Sequence, residues 1–294
     1  MAKMDLPTRA AKVVGGGSSN NDPLLVHIHI SRTGGSTLNH VLRSSYGARH
    51  CPVEPWESRW GGSPFSAHDL RRLRKVYPDL KSVAGHRIFG YVDLEEEATD
   101  LRYFALMRDP IKACASRFQG KARRWGKTLY EFEDWIQKDW TRNRHTKSIS
   151  GNDDVADAIR LIAEKNIFIG LTERFDESLL LLKRLVAPDL DISYKPTNVA
   201  RDKTIAQRLL SNERTVQMLA ESQEADLELY RYVKQELYPE YMRNYGSRLA
   251  EDVVIYRETR RNHFNRRNVV ISRVKAYSVY KPALYLHRKR VKVV

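Results

Sequence analysis

Two short apolar runs, each breaking off into a polar loop, set the rhythm of this chain. In the first, Leu24, Leu25, Val26, Ile28 and Ile30 make a largely branched, apolar segment that ends at Ser31-Arg32-Thr33-Gly34-Gly35. That pattern predicts a buried strand from Leu24 to Ile30. Leu38, Val41 and Leu42 then recur at helical spacing, with Ser36 or Thr37 placed to cap the helix they imply. In the second run, Tyr103, Phe104, Ala105, Leu106 and Met107 predict another strand, followed by Arg108-Asp109-Pro110 and a helical stretch from Ile111 to Phe118. Proline is tolerated in a first helical turn, so Pro110 marks a helix start rather than a break.

The same alternation continues along the chain. A polar helix is expected from Asp69 to Val76, Val83-Ala84 leads toward His86, and Trp125 to Trp140 reads as a mixed aromatic and charged helical stretch. Asp154 to Glu164 predicts a helix feeding a strand from Ile167 to Leu171, after which Asp176 is placed to cap a helix from Glu177 to Val186. From Thr204 to Leu237 the apolar positions Ile205, Leu209, Val216, Leu219, Leu227, Tyr230 and Val233 suggest two helices packed on the body. Strands alternating with helices, with polar loops at the strand ends, favour a parallel α/β sheet whose ligand sits at the strands' carboxyl ends.

Those loops carry the candidate chemistry. A helix start presents unpaired N–H groups and partial positive charge, which suits a phosphate or sulfate. Gly34 and Gly35 let the backbone approach an anion, Arg32 adds a full charge, and the hydroxyls of Thr33, Ser36 and Thr37 add donors. Eight residues, about two helical turns, separate Arg108 from Ser116, so a guanidinium and a hydroxyl are placed to meet on one phosphate. His27 and His29 alternate with apolar residues and are expected on one side of the first strand, as structural residues. Cys51 and Cys114 have no metal-ligand spacing, so neither a metal site nor a disulfide framework is expected.

A His-Ile-x-Arg-Thr-Gly-Gly-Ser-Thr loop followed by Arg-Asp-Pro and a downstream Ser resembles the sulfotransferases that use 3′-phosphoadenosine 5′-phosphosulfate (PAPS), in particular the carbohydrate branch that includes heparan sulfate 2-O-sulfotransferases. Gly85-His86 with Gly90-Tyr91, the Asn143 to Gly151 segment, and the run from Phe168 to Leu179 agree with it. The resemblance covers about residues 24–238. It implies a P-loop-like parallel β-sheet flanked by helices. It also implies that Arg32, Thr33, Gly34, Gly35, Ser36 and Thr37 hold the 5′-phosphosulfate, that Arg108 and Ser116 hold the 3′-phosphate, and that no metal is needed. Arg32 stands where most relatives have lysine; a guanidinium keeps the charge but does not hand over a proton, so its expected role is electrostatic. His86 occupies the position of the catalytic base, and an imidazole titrating near about 6.5 suits removal of a hydroxyl proton. Some relatives carry a second histidine two residues earlier, where this chain has Ala84.

The expected reaction is in-line attack by an acceptor hydroxyl, on a glycan by resemblance, with Arg32 and His86 as the catalytic pair and adenosine 3′,5′-bisphosphate as the product. Two other classes remain open: a P-loop-like nucleotide-dependent kinase, and a noncatalytic polyanion-binding protein. Against the first, the loop lacks Gly-x-x-x-x-Gly-Lys-[Ser/Thr]. Against the second, two anion-binding segments plus a histidine exceed what charge attraction requires.

Composition refines this picture. With 294 residues, 41% hydrophobic and 30% charged, the chain suits one substantial core and not a membrane-embedded protein. The expected organisation is a flexible tail over 1–22, a catalytic domain over 23–245 and a basic, aromatic-containing extension over 246–294. No apolar run approaches the roughly 20 residues of a spanning helix, and the first 22 residues lack a signal-peptide core. The recognised eukaryotic relatives are Golgi membrane enzymes, so a soluble, bacterial-type cytoplasmic protein is the expectation. The net charge is +15, of which +11 falls between Tyr256 and Val294. That segment reads either as a solvated extension or as a surface for an anionic polysaccharide, nucleic acid or anionic membrane.

Overall fold

Branched and aromatic side chains line both faces of the central strands, which is the pattern of a sheet covered on both sides. The computed structural model describes residues 23–57, 63–126, 131–195, 204–260 and 263–291. Within them, β1 (Leu24–Ile28), β2 (His50–Pro52), β3 (Ser82–Gly85), β4 (Leu101–Met107) and β5 (Phe168–Leu171) form one five-stranded sheet in the order β2-β3-β1-β4-β5. Every pairing is parallel. The chain is therefore an α/β single domain with an all-parallel sheet flanked by helices. The tail expected over residues 1–22 lies outside the described residues.

Register decides what this sheet can do. Ile28 lies opposite Gly85 on one side and Ala105 on the other, and Met107 lies opposite Leu171. The segments that begin at His29, His86, Arg108 and Thr172 thus all emerge from the same carboxyl edge. The first strand sits in the middle, with β3 on one side and β4 on the other, so the connections diverge from it and leave a crevice at its end.

Helix α1 (Gly35–Tyr46) starts two residues earlier than a Ser36 cap would place it: Gly34 occupies the cap position in a left-handed conformation, φ 86°, with no side-chain cap. Ser36 and Thr37 lie inside the first turn instead. Helix α2 (Ala67–Val76) opens with a capping box between Ser66 and Asp69. Helix α3 (Pro110–Trp125) opens on Asp109, whose carboxylate accepts the Lys112 N–H at 2.9 Å. Helix α3 ends at Trp125, with Gly126 as its cap; of the helical stretch expected from Trp125 to Trp140, residues 127–130 lie outside the described residues and α4 (Phe132–Ile136) forms its middle, with Phe118, Phe132 and Trp135 packed in a small second core. Helix α5 (Arg144–Ser150) and α6 (Val155–Glu164) lead into β5; α6 matches the helix expected from Asp154 to Glu164, with Asp154 standing just before it as its cap.

The helix after β5, α7 (Phe175–Leu185), already includes Asp176 in its first turn, so that residue is not its cap. Its carboxylate is taken by Tyr194, Arg260 and Arg257, partners that no local pattern announces. Between Thr204 and Tyr245 the chain forms α8 (Thr204–Leu210), α9 (Glu213–Ser222) and α10 (Glu224–Tyr232), the last running through a wider turn into α11 (Tyr238–Tyr245). Two helices were expected there; Asn212 caps the second of the three described before α10 ends, and Gln223 breaks the run between the other two.

The basic extension folds back onto the body as α12 (Leu249–Thr259), α13 (Arg266–Lys275) and α14 (Lys281–Val291). Tyr256, Tyr280 and Leu284 belong to the main core. The Tyr280 hydroxyl lies within 2.9 Å of both the N–H and the carbonyl oxygen of Glu54, and the Tyr256 hydroxyl donates to the Ile192 carbonyl at 2.6 Å.

Candidate functional site

The loop after β1 and the helix start after β4 are locked to each other by two arginines. Arg32 itself takes a left-handed backbone conformation, φ 70°, which costs a non-glycine residue free energy and survives only where the surroundings hold it. Its Nε and Nη2 donate to the Ser116 carbonyl oxygen at 3.0 and 2.8 Å. Gly120, one turn further along α3, leaves room for the guanidinium: a Cβ there would lie 2.2 Å from Nη2. In return, Nη1 of Arg108 donates to the Arg32 carbonyl oxygen at 3.3 Å. The two expected anion-binding segments therefore meet. Ser116 contributes its backbone to this contact, where the sequence pointed to its hydroxyl.

Thr33 is buried and donates to the Ile30 carbonyl oxygen at 2.9 Å, which shapes the loop from within. From below, the Thr172 hydroxyl reaches the carbonyl oxygens of Thr33 at 2.6 Å and of Met107 at 2.9 Å, tying the ends of β1, β4 and β5 together. Behind Gly34, the Phe175 ring leaves 3.3 Å to a built Cβ. Gly35 is more demanding still, since a Cβ would sit 2.1 Å from the ring of His29. The loop is thus tied on its interior side by carbonyl acceptance, and the Thr37 N–H closes the first turn of α1 on the Gly34 carbonyl oxygen at 2.9 Å.

What surrounds the loop is positive. The Arg32 guanidinium is held below its ordinary value by burial first, and then by Arg108, Arg123 and Arg117. Arg144, at the start of α5, is likewise held down by burial and by Arg117, with Asp226 beneath it acting in the opposite sense and Arg87 adding to the repulsion. Among the described residues none of Arg32, Arg108, Arg117, Arg123 and Arg144 makes an ion pair with a carboxylate. Like charges crowd together only where something else repays them; an anionic ligand does so.

His86 follows β3 at the same edge. Its Nδ1 lies 2.8 Å from the His29 carbonyl oxygen. A carbonyl only accepts, so Nδ1 carries the proton and Nε2 keeps its lone pair. Although part of the ring meets solvent, the surrounding protein lowers its tendency to protonate; the bond to His29 opposes this and Arg144 reinforces it. The ring stacks on His29 with centroids 3.9 Å apart, and His29 stacks on His27 at 5.2 Å. His27 and His29 do share one side of β1, as their alternation suggests. Burial pushes His29 down to about 2 and His27 to about 3, with the neighbouring imidazoles adding to both, so these two stay neutral.

The stretches noticed in the sequence converge here. The Gly90 N–H donates to the Ser148 carbonyl oxygen at 2.9 Å, and a Cβ on Gly90 would meet the Ile149 carbonyl oxygen at 2.7 Å, so the turn after His86 packs directly on α5. In turn α5 is anchored by Asp226 of α10, buried, which accepts the N–H groups of His145 and Thr146 at 2.9 and 2.8 Å and the Thr146 hydroxyl at 2.9 Å. Glu173 accepts the Asp109 N–H at 2.9 Å and the Tyr230 hydroxyl at 3.1 Å, which makes it a brace for the segment that carries Arg108. Arg144 and Tyr230 are the site residues that sequence reasoning missed. The only signal for Arg144 was its place in the Asn143 to Gly151 segment; its setting depends on Asp226, far away in the chain.

Cys51 and Cys114 are both free and buried. Among the described residues no group of three or more His, Cys, Asp or Glu side chains is arranged to hold a metal ion. No helix among them is long and apolar enough to cross a membrane. The fold and site define an α/β domain with a cationic crevice at the carboxyl edge of a parallel sheet. No protein-family model matches the chain, and no curated protein matches it.

Proposed function

We propose that this chain is a sulfotransferase of P-loop-like type, moving a sulfuryl group from PAPS to an acceptor hydroxyl, with a carbohydrate as the acceptor that the sequence resemblance favours. The observation that carries this reading is the meeting of the Arg32 to Thr37 loop with the Arg108 to Ser116 segment around guanidiniums that pair with no carboxylate among the described residues. A donor with a phosphosulfate at one end and a 3′-phosphate at the other calls for two anion-binding segments in one crevice. The strand order, with the anion loop after the central strand, supports the same fold type.

In this reading the loop amides, Arg32 and the hydroxyls of Ser36 and Thr37 hold the phosphosulfate, and Arg108 with the Ser116 region of α3 holds the 3′-phosphate. The acceptor oxygen bonds to sulfur as the bond from sulfur to the phosphate oxygen breaks. Nε2 of His86 takes the acceptor's proton, and adenosine 3′,5′-bisphosphate departs with the electron pair. Positive charge fixed in place beforehand stabilises the oxygens on which negative charge grows, and it costs no reorganisation during the step.

Thermal unfolding with three ligands tests the assignment. Adenosine 3′,5′-bisphosphate is expected to raise the midpoint where ATP with magnesium, and heparin, do not. A rise with ATP and magnesium alone would support a kinase in its place, and a rise with heparin alone a binding module. Transfer of labelled sulfate to a panel of glycans then identifies the acceptor.

A further inference from the structure

Helices α13 and α14 carry apolar side chains on two sides, one buried and one exposed. From Arg266 to Val291, α13 and α14 run on through a single wider turn over Ala276–Tyr280. One side, made by Val269, Ser272, Ala276, Tyr280 and Leu284, is buried against the body. The other carries Val270, Val274, Tyr277, Tyr285 and Leu286, each between 57% and 72% exposed. A second apolar stripe left exposed beside a buried one calls for a covering of its own. The outward stripe from Val270 to Leu286 is about 24 Å long at the helical rise.

Charge says what covers it. Between His263 and Val291 there is no Asp or Glu, against eight Lys and Arg. Four of those eight are committed inward: Lys281 pairs with Glu54, Arg288 donates to the carbonyl oxygens of Pro55 and Trp56, Arg273 bonds His40, and Lys275 lies over the Tyr77 ring. Arg266, Arg267 and Arg290 flank the stripe at its two ends, exposed and without an ion pair among the described residues, and Lys289 lies over the ring of Tyr285 within the stripe, 4.9 Å from its centroid. A second copy of this chain would bring the same cations face to face and repel them. A soluble polyanion would meet the cations but leave the valines wet. Apolar side chains and tyrosines bordered by Arg and Lys match the interface of an anionic bilayer, where hydrocarbon lies beneath a negative surface.

We infer that the outward face of α13 and α14 docks the protein on a membrane surface rich in anionic lipid, with the valines and tyrosines at the headgroup boundary and the terminal cations on the headgroups. The docking is peripheral and reversible, since the stripe lies along the surface and does not span it.

Flotation of the full chain with vesicles of phosphatidylcholine, alone or mixed with phosphatidylserine, tests this. Binding is expected only to the mixed vesicles and should weaken as salt rises. With each cation near the surface worth about fivefold, Arg266→Gln with Arg267→Gln should weaken it about 30-fold. Val270→Asp with Val274→Asp should weaken it by at least about tenfold at unchanged unfolding midpoint, because both side chains are already exposed. Equal binding to both vesicle types overturns the inference. So does unchanged binding of the valine variant, which would mark a patch for soluble polyanions. A dimer in sedimentation that Val274→Asp dissolves would assign the face to a second copy and overturn it as well.

Discussion

The arginines at the carboxyl edge of the sheet and the arginines of the C-terminal helices carry the same charge in opposite company. Arg257 and Arg260 share the carboxylate of Asp176 at 3.3 and 2.6 Å, Lys281 has Glu54, and Arg288 has two backbone carbonyls. Arg32, Arg108 and Arg117 have carbonyl and amide contacts, and Arg144 lies within the field of Arg117. Paired cations fasten the wrap to the body. Unpaired ones make the protein ready for an anion, and in Arg32 and Arg144 burial and repulsion already disfavour the charge. Net charge alone blurs this difference, since most of the excess lies in the wrap while the chemistry lies where the balance is local.

Removing the central member of the unpaired group is the most direct way to break the comparison. Arg32→Ala deletes the guanidinium that links the loop to α3, and transfer efficiency should fall by about a thousandfold or more, in the range set by losing a fixed charge at the reacting group. The unfolding midpoint should change little, because two hydrogen bonds are lost while repulsion from Arg108, Arg117 and Arg123 is relieved. Steady-state kinetics beside a melting curve gives both numbers. A midpoint collapse with proportionate loss of activity would make Arg32 a fold residue and sink the distinction.

His86→Ala comes next, at about 100-fold to 10,000-fold in turnover with bisphosphate affinity preserved. The pH profile sharpens it. His86 acts only when neutral, and burial with Arg144 lowers its value below that of free imidazole. Activity should therefore persist as pH falls through about 6.5 and be lost only below it. Arg144→Gln removes one of the lowering influences, so the acid limb should move up, toward 6.5. A limb that stays in place would detach Arg144 from the base.

Much of this could be read in advance, and the limits have a physical pattern. The apolar runs found β1, β4 and β5, and Asp109-Pro110 and Asp154 found their helix starts, because each is a signal contained in a few neighbouring residues. So did the grouping of Arg32, His86 and Arg108, once a parallel sheet puts three strand ends on one edge. The three residues of β2, His50–Pro52, have no periodicity long enough to detect. Asp176 was assigned to its own helix because capping is local, whereas its partners Arg257 and Arg260 lie more than 80 residues away. The contact of Arg32 with Ser116 runs through a backbone carbonyl, a group that every residue has, so no side-chain pattern could announce it.

On the paired side, Asp176→Ala should lower stability by about 2 to 3 kcal/mol, since it strands Arg257, Arg260 and the Tyr194 hydroxyl around a nearly buried gap. Bisphosphate affinity should remain at the parent value. Chemical denaturation and titration of the folded protein measure the two separately. If binding weakened as much as stability, the wrap and the crevice would be one unit and the contrast between paired and unpaired cations would lose its meaning.

The smallest effect separates the histidines of β1 from the base they support. His27 is fully buried, both its ring nitrogens lack a partner, and it packs against His29 and Phe104. Its folded value, about 3, lies below the 6.5 of the unfolded chain, so its neutral form contributes fully above 6.5. As pH falls from 6.5 toward 3, the unfolded state takes up a proton that the folded state refuses, and stability drops by about 1.4 kcal/mol per pH unit from this residue alone. His27→Phe removes that slope without opening a cavity, so the variant should gain on the parent at pH 5 and match it more closely at pH 8. The acid limb of turnover should stay where His86 puts it, because a neutral residue that never titrates in the folded state cannot move it. A shift of that limb in His27→Phe would mean that the stacked imidazoles exchange charge as a unit, and His86 would no longer stand alone as the base.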